Sequence, residues 1–111
     1  MPRYLVAAGA RSMAQLIVMY WHDIPAQVVV KAGRQTAKRE LSSRFQDAID
    51  RAAMRSGAHG TDAYLAGWRR GDPLPCGDDI EAEAAAAAGR IETEFDEARL
   101  RALVASGGRA T

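Results

Sequence analysis

The chain has 111 residues, which allows one small domain but not two independent hydrophobic cores. Apolar residues make up 48% of it, but 23 of them are alanines, so 30 larger apolar side chains remain to build the core. The net charge of +1 excludes a strongly basic nucleic-acid-binding arm, and the single cysteine excludes an internal disulfide framework. No run approaches the roughly 18 consecutive apolar residues of a membrane-spanning helix, so we expect a cytoplasmic protein.

The patterned part of the sequence begins near Met13, and we expect a single domain over residues 13–106. Residues 1–12 are interpreted as a disordered extension, because the patterned sequence begins just after Met13. A signal peptide is not expected, because Arg11 interrupts their short apolar run before any cleavage site. Residues 107–111 begin with two glycines and are expected to form a flexible tail.

Two strand-like segments lie on either side of a break at Pro25. Residues 15–21 are apolar at both alternating positions, which is typical of a strand covered on both faces. The short connection to a second strand over residues 26–32 predicts a β-hairpin. Residues 36–41 alternate weakly and indicate a third strand. Because a lone hairpin is marginally stable, we expect this third strand or the strand of a partner, as in a homodimer through the sheet.

The first helical pattern covers residues 43–56, where apolar side chains recur on one stripe. Ser43 and Gln46 have the spacing of a capping box at its start. Gly57 has the position of a C-terminal cap.

Two further helices are expected over residues 61–70 and 78–105, the latter beginning at Asp78 or Asp79. Residues 72–77 between them form a loop, because two prolines in three positions exclude a helix. The predicted fold class is therefore α+β, with an N-terminal antiparallel β-hairpin or small sheet packed against about three helices.

The charges are unevenly distributed along the chain. Residues 31–70 carry nine Lys or Arg and four Asp or Glu, whereas residues 71–111 carry four and nine. One interpretation is that the acidic helix folds back near the basic half and both faces are solvated. The other is a surface that binds an anion or an acidic partner. The candidate residues for that surface are His22, Asp23, Gln27, Lys31, Arg34, Lys38, Arg39 and Arg44.

The sequence offers weak candidates for catalysis and metal binding. His22 and Asp23 are adjacent, so their side chains point apart on an extended chain and have no nucleophile nearby in sequence. Cys76 lies beside two carboxylates, which disfavour its thiolate. Together with His59 these residues lack the spacing of a zinc site. We therefore predict no catalytic residue and no metal site, and the basic stretch lacks the interleaved aromatic residues of a nucleic-acid-binding surface.

Residues 13–70 resemble the bacterial virulence factor domain family, which also occurs in conserved virulence factor C-type proteins. The features that carry the resemblance are listed in chain order: Tyr20-Trp21, Asp23-Ile24-Pro25-Ala26-Gln27-Val28, Arg34, Ala37-Lys38, Phe45, Ile49-Asp50, Ala52-Ala53-Met54, Gly60-Thr61-Asp62-Ala63-Tyr64-Leu65 and Trp68. His22 stands where the family has a basic residue, often arginine, which puts an anion-binding role of this turn in doubt.

The resemblance implies an association with virulence in some members and no catalytic residue. In larger relatives the domain accompanies an iron–sulfur-scaffold-like module and helical repeats. The turn His22–Gln27 beside the basic stretch 31–44, with no catalytic constellation, favours a non-catalytic accessory or interaction module with a protein partner. Stand-alone members lie near corrinoid and tetrahydrofolate one-carbon genes. The alternative is therefore a subunit, or an anionic-cofactor-binding protein, of one-carbon metabolism, with the cofactor itself unknown.

Overall fold

The structure, a computed structural model, describes residues 14–58, 60 and 62–110. The strands in these residues are β1 (Gln15–Trp21), β2 (Ile24–Ala32), β3 (Gln35–Glu40), β4 (Trp68–Arg70) and β5 (Leu74–Pro75). The helices are α1 (Ser43–Ser56), α2 (Asp62–Ala66), α3 (Ile80–Glu94) and α4 (Glu97–Ala105). The predicted α+β class is confirmed. The extension expected over residues 1–12 lies outside the described residues.

The strands form one antiparallel sheet in the order β3-β2-β1-β4, and β5 also pairs with β1. The predicted hairpin and the third strand are both confirmed. Met19 pairs with Gln27 and Tyr20 with Pro25, so Ala26 is the extra residue of a β-bulge. This irregularity explains why β2 continues through Pro25, where the sequence predicted a break.

The helix predicted over residues 61–70 is wrong in its second half. α2 ends at Ala66, and β4 (Trp68–Arg70) pairs with the edge of β1 that faces away from β2. Gly71 extends this contact by donating its backbone N–H to the carbonyl oxygen of Val18 at 2.7 Å. The unpaired edge of a buried strand thus outweighs the local preference of Trp68, Arg69 and Arg70 for a helix.

The single long helix predicted over residues 78–105 is also wrong, because the chain turns at Phe95 and Asp96 between α3 and α4. The carboxylate of Asp96 caps α4 by accepting the backbone N–H of Arg99 at 2.9 Å. Asp79 caps α3 in the same way, and this cap was one of the two predicted.

The bounds of α1 agree with the prediction, and Gly57 ends the helix in the left-handed conformation, with φ of 76°. The capping box is wrong. Ser42 is the N-terminal cap and makes no side-chain capping bond, while Gln46 donates to Asp50 instead. The Ser42 hydroxyl is engaged by Glu92 of α3, so a tertiary contact replaces the local one.

One core cluster lies between α3 and the sheet. The alanines of α3 allow the helix to lie close to β2 and β3, as small side chains at a helix contact do. The buried residues of this cluster are Leu16, Val28, Val30, Ala37, Ala84 and Ala87. Within the described part of the chain, no helix is both long enough and apolar enough to cross a membrane.

The second core cluster surrounds Trp21 at the end of the sheet beside the β1–β2 turn. The indole is fully buried, and its Nε1 donates to the carbonyl oxygen of Tyr64 at 2.8 Å. The backbones of Gly67 and Gly108 pack directly against the indole. The cluster also joins α1 to α4, through Phe45, Ile49, Leu100 and Leu103.

Candidate functional site

Three of the predicted partner-binding cations lie together on the β2–β3 hairpin. Lys31 pairs with Thr36 and Lys38 with Val29, so both lysines lie on one face of the sheet, with Arg34 in the connecting turn. All three are exposed, and none of their side chains has a hydrogen bond or an ion pair with the residues that the structure describes. We call Lys31, Arg34 and Lys38 the cationic hairpin.

Arg39 belongs to a different surface. It pairs with Val28, which is buried beneath α3, so its side chain lies on the opposite face of the sheet from Lys38. Its guanidinium lies 4.0 Å from the carboxylate of Glu81 in α3. Both side chains are exposed, so this pair stabilises the fold only weakly.

The side chain of Arg44 connects the start of α1 to the end of α3. Its Nη1 donates to the carbonyl oxygen of Phe95, and its Nη2 donates to that of Glu92, each at 2.6 Å. These carbonyl groups end α3 and have no partner within that helix. The prediction that Arg44 contacts a partner stays untested, but most of its donors are already used.

The carboxylate of Glu92 completes this contact between α1 and α3. It accepts from the backbone N–H and the hydroxyl of Ser42 and from Arg44. Burial raises the pKa of Glu92, but the hydrogen bonds from Ser42 and Arg44 outweigh it, so the pKa lies below its usual value. Glu92 is therefore charged at neutral pH and ties the start of α1 to the end of α3.

His22 occupies the β1–β2 turn with a positive φ of 52°, which is uncommon outside glycine. Its ring packs edge-on against Trp21, with 4.3 Å between ring centroids. Burial, and then the charge of Arg109, lower the pKa of His22 below its usual value. The imidazole is therefore neutral at pH 7.

Asp23 connects the β1–β2 turn to β4 and to the segment that follows α4. Its carboxylate accepts the backbone N–H of Ala110 at 2.7 Å and the guanidinium of Arg69 at 3.1 Å. These two contacts, in that order, lower the pKa of Asp23 despite some burial. Its backbone N–H donates to Gly108 at 2.8 Å. Residues 107–110, expected to be a flexible tail, thus contact the β1–β2 turn.

Gln27 is half-buried in β2 and lines a cavity of about 480 Å³ beside the start of α1. Alternation along β2 puts it on the same face as Val29 and Lys31. The structure thus brings Gln27 and the cationic hairpin to one face of the sheet. It places His22 and Asp23 at the far end of β2.

Sequence reasoning missed a groove of about 400 Å³ in which three arginines meet. They come from β4, α4 and the segment after α4. Its principal lining residues are Tyr20, Arg69, Phe95, Arg99, Leu103 and Arg109. No sequence signal links arginines so far apart, and Arg69 was placed in a helix. Only Asp23 carries a negative charge among the residues that line the groove.

The remaining chemical candidates do not form a reactive cluster among the described residues. Burial, followed by the charges of Glu83 and Asp78, raises the pKa of the Cys76 thiol. Among the residues described, no group of three or more His, Cys, Asp or Glu side chains is arranged to hold a metal ion. His59 lies outside the described residues.

The geometry defines a small α+β domain with a five-stranded antiparallel sheet, an exposed cationic hairpin and an arginine-lined groove. A family model described as "Virulence factor" matches residues 19–104. The match covers most of the chain, so this protein belongs to the virulence factor family. Comparisons with curated proteins and with solved structures found no match.

Proposed function

We propose that this chain is a non-catalytic interaction module that binds an acidic, extended segment of a partner protein through the cationic hairpin and the adjoining edge strand β3. The observation that carries the proposal is the cluster of Lys31, Arg34 and Lys38. Their side chains are exposed, share one hairpin and form no ion pair with the described residues. Such a cluster attracts acidic segments and orients them during association.

The edge of the sheet supports an extended partner. β3 lies at the end of the strand order, and its outer edge pairs with no other strand in the described residues. Its six residues offer unpaired backbone donors and acceptors to an added strand. Lysine and arginine on an edge strand also oppose indiscriminate pairing, so a partner strand that carries acidic side chains is selected over a neutral one.

The same charges argue against the second copy of this chain that a homodimer through the sheet requires. Antiparallel pairing of β3 with the β3 of another copy puts like charges opposite each other when it is centred on Lys38 or between Lys38 and Arg39. Like charges facing each other across strands are destabilising. A partner that supplies aspartate or glutamate at those positions removes this penalty.

The test is a titration of a fluorescently labelled, extended peptide rich in glutamate, followed by fluorescence anisotropy. The same peptide with glutamine at every glutamate is the ligand control. The double variant Arg34→Glu/Lys38→Glu is expected to weaken binding at least about tenfold, since attraction becomes repulsion. The matched variant Arg51→Glu/Arg90→Glu changes the net charge equally, at exposed positions outside the hairpin, and is expected to bind like the wild type.

Three results contradict the proposal. The first is absence of binding to the wild-type protein at low salt, where charge attraction is strongest. The second is equal affinity for the glutamate and glutamine peptides. The third is an equal loss of affinity in the two double variants, which assigns the effect to net charge and not to the hairpin.

A further inference from the structure

The groove lined by Arg69, Arg99 and Arg109 has the composition of an anion-binding site. It lies between the end of the sheet and the junction of α3 with α4, and its volume is about 400 Å³. This volume lies within the range of small-molecule sites. Tyr20, Phe95 and Leu103 give it an apolar lining, so the groove joins an apolar surface to a concentration of positive charge.

Arg69 is fixed in place before any ligand arrives. Its guanidinium lies over the ring of Tyr20 at 4.4 Å from the centroid, and its Nε donates to the carbonyl oxygen of His22 at 2.7 Å. Its Nη2 donates to Asp23 at 3.1 Å. Nη1 has no partner among the described residues, so a held guanidinium keeps free donors.

Asp23 does not neutralise the groove. Its second oxygen accepts the backbone N–H of Ala110, so its carboxylate is occupied on both sides by fixed donors. Because Asp23 is the one acid among the lining residues, three arginines leave the groove with an excess of positive charge. Asp23 therefore acts as the support that orients Arg69.

The other two guanidinium groups also keep donors available. Arg99 lies over the ring of Phe95 at 3.9 Å from the centroid and donates one bond, to the carbonyl oxygen of Glu94 at 3.3 Å. The guanidinium of Arg109 donates to no residue that the structure describes. The charge of Arg109 also helps to lower the pKa of the nearby His22.

We propose that this groove binds a small molecule that carries a carboxylate or phosphate group on an apolar, aromatic body. Guanidinium groups recognise both kinds of oxyanion through paired N–H donors. The planar guanidinium groups of Arg69 and Arg99, which cover the rings of Tyr20 and Phe95, provide stacking surfaces for a flat body. The site lies away from the cationic hairpin and is independent of the proposed peptide binding.

The probes are benzoate and phenyl phosphate, with benzamide as the neutral counterpart of benzoate and inorganic phosphate as the anion without an apolar body. Binding is measured by isothermal titration calorimetry at low salt and by the shift in Tm at millimolar ligand. The structure predicts binding of benzoate, phenyl phosphate or both. It predicts affinities at least tenfold weaker for benzamide and for inorganic phosphate.

The double variant Arg99→Gln/Arg109→Gln is expected to lose at least tenfold in affinity, while Arg90→Gln/Arg101→Gln, with the same loss of charge outside the groove, keeps wild-type affinity. Circular dichroism establishes that both variants are folded. If Arg99→Gln/Arg109→Gln proves unfolded, Arg109→Gln alone serves, because its guanidinium has no structural partner among the described residues.

Several outcomes overturn the proposal. The proposal is wrong if neither aromatic anion binds, or if benzamide or inorganic phosphate binds as tightly as the aromatic anions. It is also wrong if Arg90→Gln/Arg101→Gln loses as much affinity as Arg99→Gln/Arg109→Gln. The site is distinguishable from the peptide surface, because Arg34→Glu/Lys38→Glu is expected to retain the aromatic anion. Preference for phenyl phosphate over benzoate, or the reverse, assigns the oxyanion.

Discussion

Arg44 in the first turn of α1 donates through Nη1 to the carbonyl oxygen of Phe95, the C-terminal cap of α3, at 2.6 Å. The same guanidinium lies 4.6 Å from the ring centroid of Phe45 and 3.2 Å from the carboxylate of Glu92. One side chain thus ties the start of α1 to the end of α3, because it satisfies carbonyl groups that a helix end leaves unpaired.

Arg44→Lys is expected to lower the free energy of unfolding by about 1–3 kcal/mol, because a single ammonium cannot reproduce the bonds of the planar guanidinium. Urea denaturation at pH 7 measures the change. Arg51→Lys in the same helix is the control, since Arg51 is exposed and has no such contact, and we expect it to change the stability by less than about 0.5 kcal/mol. Equal stability of the two variants would show that Arg44 is dispensable for the fold.

Two glycine-to-alanine substitutions are expected to have opposite effects. A Cβ at Gly67 would lie 2.5 Å from Nε1 of Trp21, which is fully buried and cannot move away. Gly67→Ala is therefore expected to destabilise the fold by about 1–3 kcal/mol through overpacking. Gly89 lies in α3, and a Cβ there meets nothing within 4 Å. Gly89→Ala is expected to stabilise the fold by about 0.5–1 kcal/mol through helix propensity.

Thermal and urea unfolding of both glycine variants measure these changes against the wild type. A loss of the fluorescence signature of a buried tryptophan in Gly67→Ala supports the steric explanation. A neutral Gly67→Ala variant would mean that the backbone of this turn does not pack against the indole. A destabilised Gly89→Ala variant would mean that this face of α3 lies against another part of the protein.

The sequence predicted those elements whose pattern is local. The hairpin and α1 have clear periodicity, and Asp79 and Gly57 mark helix ends by their own chemistry. Trp68–Arg70 was misassigned because its strand exists only through pairing with β1, which is a tertiary effect. The turn at Asp96 was missed because the helical stripe continues on both sides of it, although Asp96 is itself a good cap.

The candidate sites divide in the same way. Lys31, Arg34 and Lys38 are close in sequence and lie on one hairpin, so their charge cluster was visible in the sequence. Arg69 and Arg109 meet only because the segment after α4 returns to the β1–β2 turn. Arg109 lies in residues 71–111, where acidic side chains outnumber basic ones, so it was not predicted to bind an anion.

His22 is expected to make the fold less stable as the pH falls below 6.5, the usual pKa of histidine. Burial, followed by the charge of Arg109, lowers its pKa in the folded state, with Arg69 adding to the effect and Asp23 opposing it. As the pH falls through the usual value of 6.5, the unfolded chain takes up this proton first. The stabilisation contributed by neutral His22 is therefore fully present above pH 6.5. It is lost as the pH falls from 6.5 through the lower pKa of the folded state.

His22→Asn is expected to flatten the loss of stability in this pH range, because asparagine does not titrate and tolerates a positive φ. Urea denaturation at several pH values between 7.5 and 5 measures the slope for the wild type and the variant. Because any other titrating group is common to both proteins, the difference between the slopes isolates His22. Identical slopes would contradict the assignment.

Asp23 is expected to stabilise the fold at neutral pH and to lose this role in acid. The backbone N–H of Ala110, and then Arg69, hold the pKa of Asp23 below its usual value of 3.8. Because the unfolded chain binds this proton at higher pH, the stabilisation is present above about pH 4 and is lost as the pH falls through the lower pKa of the folded state. The side chain is 39% exposed, so solvent screening limits the magnitude.

Asp23→Asn is therefore expected to lower the free energy of unfolding by about 1 kcal/mol at pH 7, because the amide keeps an acceptor for Ala110 but loses the charge that holds Arg69. The difference from the wild type should shrink as the pH falls below 3.8, and it should vanish only below the lower pKa of the folded state, where the carboxylate is protonated in both folded and unfolded chains. Urea denaturation at pH 7 and at acid pH measures it. Asp72→Asn, at an exposed position without such contacts among the described residues, is the control. A pH-independent difference between Asp23→Asn and the wild type would refute the electrostatic explanation.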